Sequence, residues 1–223
     1  MNIRNIIINT QILIFFLCNL VFLISFSEKS FSKNSQLYVI GNSITLHKPV
    51  PNIGWLGNHG MAASEKNNDF ANIVGKEIKK PVIAINFSEL AQKPLLAIPN
   101  IKNIVAKIPL DASVIIQLGD NLTLENTKDF EIGFDQLLMS LNKSPAKICI
   151  STWWARPFKD DILKRICKKY NFDYINIGDV RGIPSASKYK IIDYGNDGVN
   201  DHPQDSAMRI IAKRVIKVLR KKN

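Results

Sequence analysis

Short, continuous apolar runs alternate along the chain with segments whose apolar residues recur every three or four positions. The runs at 37–40, 82–86, 113–118, 147–151 and 174–177 are rich in Ile, Val and Leu and read as strands buried on both faces. Segments 69–79, 99–107, 128–141 and 160–170 carry the helical spacing, as in Ile162, Leu163, Ile166 and Tyr170. A last helix is predicted at 204–221, with Met208, Ile211, Ala212, Val215, Val218 and Leu219 along one side. Alternation of this kind predicts βαβ units, hence an α/β fold with a five-stranded parallel sheet and right-handed crossovers. Chemistry in such a fold gathers at the carboxyl ends of the strands.

The N-terminal pattern is different. Arg4 is the only charged residue before Glu28, and residues 12–26 are almost wholly apolar. A positive start, an apolar stretch and a polar exit predict a signal peptide over 1–27, or an uncleaved membrane anchor. Residues 28–35 then form a linker to a single domain over 36–223. Either reading places the domain outside the cytoplasm: periplasmic, secreted or membrane-anchored.

Composition narrows the class. With 46% hydrophobic residues and 22% charged, the chain suits a globular domain and excludes a disordered one. The formal charge is +11, and much of it lies in the last helix, where every charged residue from Arg209 to Lys222 is basic. That face is either simply solvated or a contact for an anionic membrane surface or glycan. No repeat, phosphate-binding glycine loop, zinc-like Cys/His spacing or nucleic-acid motif is present, so neither a metal nor a nucleic-acid partner is expected. Of the three cysteines, Cys18 falls in the apolar leader and lacks the small residues that precede a lipidated cysteine. Cys149 and Cys167 fall on a strand and the helix after it, where Cα separations near about 10 Å are commoner than the roughly 5.5 Å of a disulfide, so two core thiols are expected.

Three segments carry candidate chemistry. Residues 41–45, GNSIT, place Ser43 at the turn out of the first strand, where its hydroxyl could attack an acyl carbon and its N–H hold an oxyanion. Residues 119–121, GDN, follow the third strand: Gly119 permits a sharp turn, and the Asn121 amide is a second oxyanion donor, with Gly119 beside it. Residues 197–203, DGVNDHP, set His202 at the entrance of the last helix as the base. Trp153 and Trp154 follow strand four at the same rim and offer aromatic faces to a sugar or acyl group. His47 and His59 are weaker candidates, since neither precedes a final helix.

On these residues, in this order, the chain resembles the SGNH hydrolases, the GDSL-type esterase and lipase superfamily, over residues 36–220. Ser43 in GNSIT matches the block I serine, Asn121 in GDN the block III asparagine, and His202 in DHPQD the block V histidine. Residues 54–64, GWLGNHGMAAS, resemble a stretch found in a bacterial subgroup with GNSIT. The resemblance implies a flavodoxin-like three-layer αβα sandwich and cofactor-free, metal-independent ester hydrolysis through an acyl-serine. Asn42 replaces the aspartate of the GDS signature. The usual DxxH spacing puts Val199 where the triad acid belongs, leaving Asp197 or Asp201 as substitutes, or a Ser–His dyad helped by a backbone carbonyl. Residues 86–90 lack the block II glycine, so an N–H near Phe87 or Ser88 would have to serve. The expectation is an exported serine esterase acting on a small acyl ester or acylated glycan, such as O-acetyl groups. An O-acyltransferase using the same serine and a noncatalytic glycan- or membrane-binding module are the alternatives.

Overall fold

The computed structural model describes residues 35–183 and 192–221. The chain divides into units Met1–Lys33 and Asn34–Asn223, and the described residues belong to the second. The expected leader or anchor, nearly all of the linker and Cys18 lie outside the described residues.

Five strands form one parallel sheet: β1 (Leu37–Gly41), β2 (Val82–Asn86), β3 (Ser113–Gln117), β4 (Lys147–Ile150) and β5 (Asp173–Ile175). Their spatial order is β2-β1-β3-β4-β5. The chain therefore winds outward from β1 to β2 and returns past it to β3, and the reversal opens a crevice between β1 and β3 at their carboxyl ends. In register, Gly41 lies opposite both Asn86 and Gln117. The segments leaving β1, β2 and β3 thus start at one level of one rim.

The helices are α1 (Phe70–Ile78), α2 (Glu89–Gln92), α3 (Pro94–Ala97), α4 (Ile101–Val105), α5 (Thr127–Ser140), α6 (Pro157–Lys169), α7 (Asp197–Asn200) and α8 (Asp205–Leu219). They cover both faces of the sheet. Tyr38, Ile40, Val114, Ile116 and Cys149 share one cluster with buried residues of α2 to α6. Leu37, Val39, Ile115 and Ile148 alternate with them, are fully buried, and by the two-residue period of a strand face the other side. Helices α1 and α8 pack against each other. In α5, Phe130, Phe134, Leu137 and Leu138 are buried at helical spacing, and the two phenyl rings stack at 5.4 Å.

The predicted strands agree with the observed ones to within a residue or two. The helix expected at 99–107 is instead a series of short turns from Glu89 to Val105, because Pro94 and Pro99 cannot donate a backbone hydrogen bond and each starts a new turn. The basic face of α8 is partly neutralised: Arg214 pairs with Asp179 and Arg220 with Glu77.

One expectation is overturned outright. Cys149 and Cys167 form a disulfide. Their Cα atoms are 6.4 Å apart, within bridging range, because α6 returns over its own strand with Cys167 turned inward onto Cys149. Both are buried. The bond closes a loop with a sequence separation of 18, so Cys167→Ser is expected to lower stability by about 3 kcal/mol in urea denaturation. Thiol titration of the unfolded, unreduced protein should find neither cysteine free, and full reactivity of both would refute the bridge.

Candidate active site

Each functional segment leaves a strand end through a turn that its own residues specify. After β1, the Asn42 carbonyl accepts from the N–H groups of Thr45 and Leu46, and its side-chain Oδ1 accepts from Ile44 N, which wraps the chain tightly and leaves Ser43 in the cleft wall. A side chain at Gly41 would come within 2.0 Å of Thr45 Oγ1, so the turn closes only over glycine. From the other side, Met61 N donates to the Ser43 carbonyl at 2.8 Å.

After β3, Gly119 adopts φ 103°, a left-handed conformation that reverses the chain. The reversal sends the Asp120 side chain inward and Asn121 into the cleft wall. The Asp120 carboxylate is buried and accepts four hydrogen bonds. Asn42 Nδ2 and Gln117 Nε2 reach Oδ2, each at 2.7 Å, and the N–H groups of Trp153 (2.7 Å) and Trp154 (3.1 Å) reach Oδ1. Burial raises the Asp120 pKa, and the four donors offset only part of that rise. The Asp120 backbone carbonyl accepts from the buried Lys159 ammonium at 2.6 Å.

The histidine is presented by α7. In this one-turn helix the Asp201 and His202 N–H groups bond to the carbonyls of Asp197 and Val199, so the Gly198 carbonyl is left without a backbone donor. The His202 side chain fills the vacancy, with Nδ1 2.7 Å from Gly198 O. A carbonyl can only accept, so Nδ1 carries the proton and Nε2 presents its lone pair. That lone pair points at Ser43 Oγ, 2.8 Å away. Burial lowers the His202 pKa to about 4, aided by the charge of His47 and opposed by the Gly198 carbonyl and by Asp201.

These groups line a cleft of about 290 Å³ that also includes Asn121, Trp154, His47, Ser88 and Gln92. No hydrogen bond among the described residues claims the Ser43 N–H or the Asn121 amide, so both can face an oxyanion. Trp154 lies edge-on to the imidazole, with ring centres 4.8 Å apart. The arrangement can supply a nucleophile, a base of the correct tautomer and oxyanion donors.

Several expected placements differ. Neither Asp197 nor Asp201 bonds to the imidazole. The Asp201 carboxylate is held by Trp154 Nε1 and the Arg181 guanidinium, and Asp197 caps the turn through its backbone carbonyl. Gly119 shapes the turn and does not line the cleft. Trp153 is 5% exposed, bonds through Nε1 to the Asp201 carbonyl, and faces a neighbouring cavity instead. The Phe87 and Ser88 N–H groups are taken by Gly41 O and Asn86 Oδ1, so neither is free for an oxyanion. His59 bonds to Ala63 O and packs on Trp55. Gln92 and Asn196 were not anticipated, and the backbone carbonyl expected of a Ser–His dyad is that of Gly198. Only Gly198 left a trace in the sequence, four residues before His202, at the spacing that one helical turn brings together. Among the described residues no cluster of three metal-binding side chains occurs.

The GWLGNHGMAAS segment buttresses both halves of the site. Trp55, Met61 and Ala62 pack with Val199 of α7, and the Tyr194 hydroxyl donates to the carbonyls of Ala62 and Ala63.

No protein-family model and no curated protein sequence matches the chain. Solved structures do. A protein assigned to the G-D-S-L lipolytic family from Desulfitobacterium hafniense DCB-2 aligns at 13% identity and TM-score 0.52, covering 83% of this chain and 99% of its own. A family two carbohydrate esterase from Clostridium thermocellum, solved with cellohexaose, aligns at 16% identity and TM-score 0.55, over 84% of this chain and 64% of that one. A two-domain esterase active on acetylated mannans, co-crystallised with mannopentaose, aligns at 16% identity and TM-score 0.57, over 90% of this chain and 53% of that one. The chain has the three-layer α/β fold of these proteins.

The Asp120 network accounts for asparagine at position 42. Asn42→Asp would set two carboxylates 2.7 Å apart in a buried site, replacing a hydrogen bond by repulsion, with an expected cost of at least about 2 kcal/mol. The deficit should shrink as pH falls from 8 to 5, because one carboxyl of such a pair has a raised pKa. Gln117 Oε1 is buried without a partner. In the double exchange Asn42→Asp/Asp120→Asn, a flipped Gln117 amide can accept from the new Asn side chain, so the pair is expected to regain most of the lost stability in thermal melts.

Proposed function

We propose that this protein is an exported serine esterase that removes O-acyl groups, above all O-acetyl, from a glycan. One observation carries the reading: Ser43 Oγ lies 2.8 Å from a His202 Nε2 whose lone pair is fixed toward it by the Nδ1–Gly198 contact. In the reaction, His202 takes the Ser43 proton as Oγ attacks the ester carbonyl. The Ser43 N–H and the Asn121 amide receive the oxyanion. His202 returns the proton to the departing sugar hydroxyl, leaving an acyl-serine. Water, deprotonated by the same imidazole, then attacks the acyl carbon, and the carboxylic acid leaves as that proton returns to Ser43 Oγ, the acid ionising in solvent.

The fold shared with carbohydrate esterases supports the glycan, and a cleft of about 290 Å³ suits a small acyl group. The apolar pattern of residues 12–26 and the Cys149–Cys167 bridge both support export, since such bonds persist in oxidising compartments. The noncatalytic alternative rests on the missing triad acid and the missing block II glycine; the Gly198 carbonyl supplies the orienting contact in place of the acid, and the Ser43 N–H and Asn121 amide are the oxyanion donors that remain.

With p-nitrophenyl acetate as substrate and a fluorophosphonate label, Ser43→Ala should lose both turnover and labelling. Asn121→Ala should lower kcat about 10²- to 10³-fold. Asp197→Asn should retain most activity, because no carboxylate holds the imidazole. A parent protein that neither turns over nor labels would end the esterase reading.

The pH profile gives a second check. The base must be neutral to act, and a pKa lowered to about 4 keeps His202 neutral far below the usual histidine range. The acid limb of kcat/KM should therefore fall between about pH 4 and 5 rather than near about 6.5. A limb at the ordinary histidine value would show that the imidazole is not desolvated as the structure has it.

A further inference from the structure

Trp154, which borders the reactive cleft, also borders a second cavity of about 230 Å³, lined by Trp153, Trp154, Ala155, Arg156, Gly178 and Arg181. Its wall carries two guanidiniums and no carboxylate. The Arg181 guanidinium stands 5.8 Å from the centre of the Trp153 ring and is matched by Asp201. Of the acids nearby, Asp120 is committed to its four N–H donors, Asp160 to Thr152 and Tyr174, and Asp179 to Arg214. Arg156, at the cap of α6, is exposed, and no carboxylate or hydrogen bond among the described residues claims its side chain. Its charge is felt by Lys159, where it adds to the lowering of that ammonium's pKa by burial.

An indole shared by two cavities, with an uncommitted guanidinium in the outer one, is a combination suited to a sugar that carries an anion. Sugar C–H faces pack on aromatic rings, and a carboxylate accepts two parallel hydrogen bonds from one guanidinium. We propose that this second cavity is a subsite for a uronic acid unit of the glycan, its ring against Trp154 and its carboxylate on Arg156, with Arg181 as the adjoining donor. The inference builds on the esterase reading, in that the unit held here would be a neighbour of the one whose ester lies at Ser43.

Binding is measured without turnover, by calorimetry on the full chain with tetragalacturonate and, as the neutral counterpart, mannotetraose. Tetragalacturonate should bind at least about tenfold more tightly. Arg156→Gln, with an unchanged melting temperature, should remove that preference, and Arg156→Lys should restore only part of it, because lysine keeps the charge without the fork. Lys217→Gln, on the exposed face of α8, should leave the preference intact. Equal affinity for the two oligosaccharides, absence of binding by tetragalacturonate, indifference to Arg156→Gln, or an equal loss in Lys217→Gln would each overturn the proposal, the last by showing general attraction of a polyanion to a basic protein. If p-nitrophenyl acetate is not hydrolysed while Arg156-dependent binding holds, the esterase reading falls and the subsite stands. If hydrolysis holds and the carboxylate preference is absent, the reverse is true.

Discussion

A single buried carboxylate sets the geometry of the rim. Asp120 is buried, and an ionised carboxyl in such a place persists only if hydrogen bonds replace its lost hydration. It finds them on the ends of three strands: Asn42 beyond β1, Gln117 at the end of β3, and the peptide N–H groups of Trp153 and Trp154 beyond β4. Three of the four ties, those of Asn42, Trp153 and Trp154, sit at or beside a residue of the cleft. Ser43 follows Asn42, Asn121 follows Asp120 itself, and Trp154 is held by its own backbone. Removing the carboxylate would leave four buried donors unsatisfied, so the spacing of these groups and the stability of the sheet end are one property. The same ties choose asparagine over aspartate at position 42, because the Asn42 amide donates to Asp120 while its carbonyl oxygen accepts from Ile44 N, and a second acid could do only the latter.

The histidine side of the cleft is held by packing and by one orphaned carbonyl. Trp55, Met61 and Ala62 press on Val199 in the middle of α7, so the segment that supports the Ser43 carbonyl also seats the turn that carries His202. Because α7 is a single turn, its Gly198 carbonyl lacks a backbone donor, and the imidazole meets that need while fixing its own tautomer. The trade is electrostatic. A carbonyl dipole stabilises an imidazolium less than a carboxylate does, and burial works in the same direction, which leaves a base of low pKa: ready over a wide pH range but a weaker proton acceptor than one near neutrality.

How much of this the sequence revealed follows from which interactions are local. Strands buried on both faces and helices with one apolar stripe write their periods directly, so the parallel sheet, its five members and the C-terminal rim were legible in residues such as 113–118 and 160–170. Ser43, Asn121 and His202 were legible because each sits at a strand or helix boundary marked by its own turn residues. What could not be read was partnership over distance. Nothing near Cys149 tells how far α6 slides over β4, and the disulfide depends on that offset alone. The acid next to His202 in sequence, Asp201, points away from the ring nitrogen, and no local pattern encodes the direction of a side chain leaving a one-turn helix. Short turns between Glu89 and Val105 were missed for the opposite reason, since two prolines interrupt a stretch whose apolar spacing alone looks continuous.

Asp201 acts one step removed from the imidazole, and that displacement ties the two cavities together. Its carboxylate holds the Trp154 indole and the Arg181 guanidinium, and its carbonyl holds Trp153. Trp154 in turn lies edge-on to His202, where an apolar ring keeps water from the nitrogen and adds to the desolvation that depresses its pKa. An acid bonded directly to Nδ1 would have raised that pKa and left the indole without its anchor. With the acid on the indole, the wall between the two cavities is fixed from both sides, and the group that shapes the reactive cleft is the one that borders the arginine-lined cavity next to it.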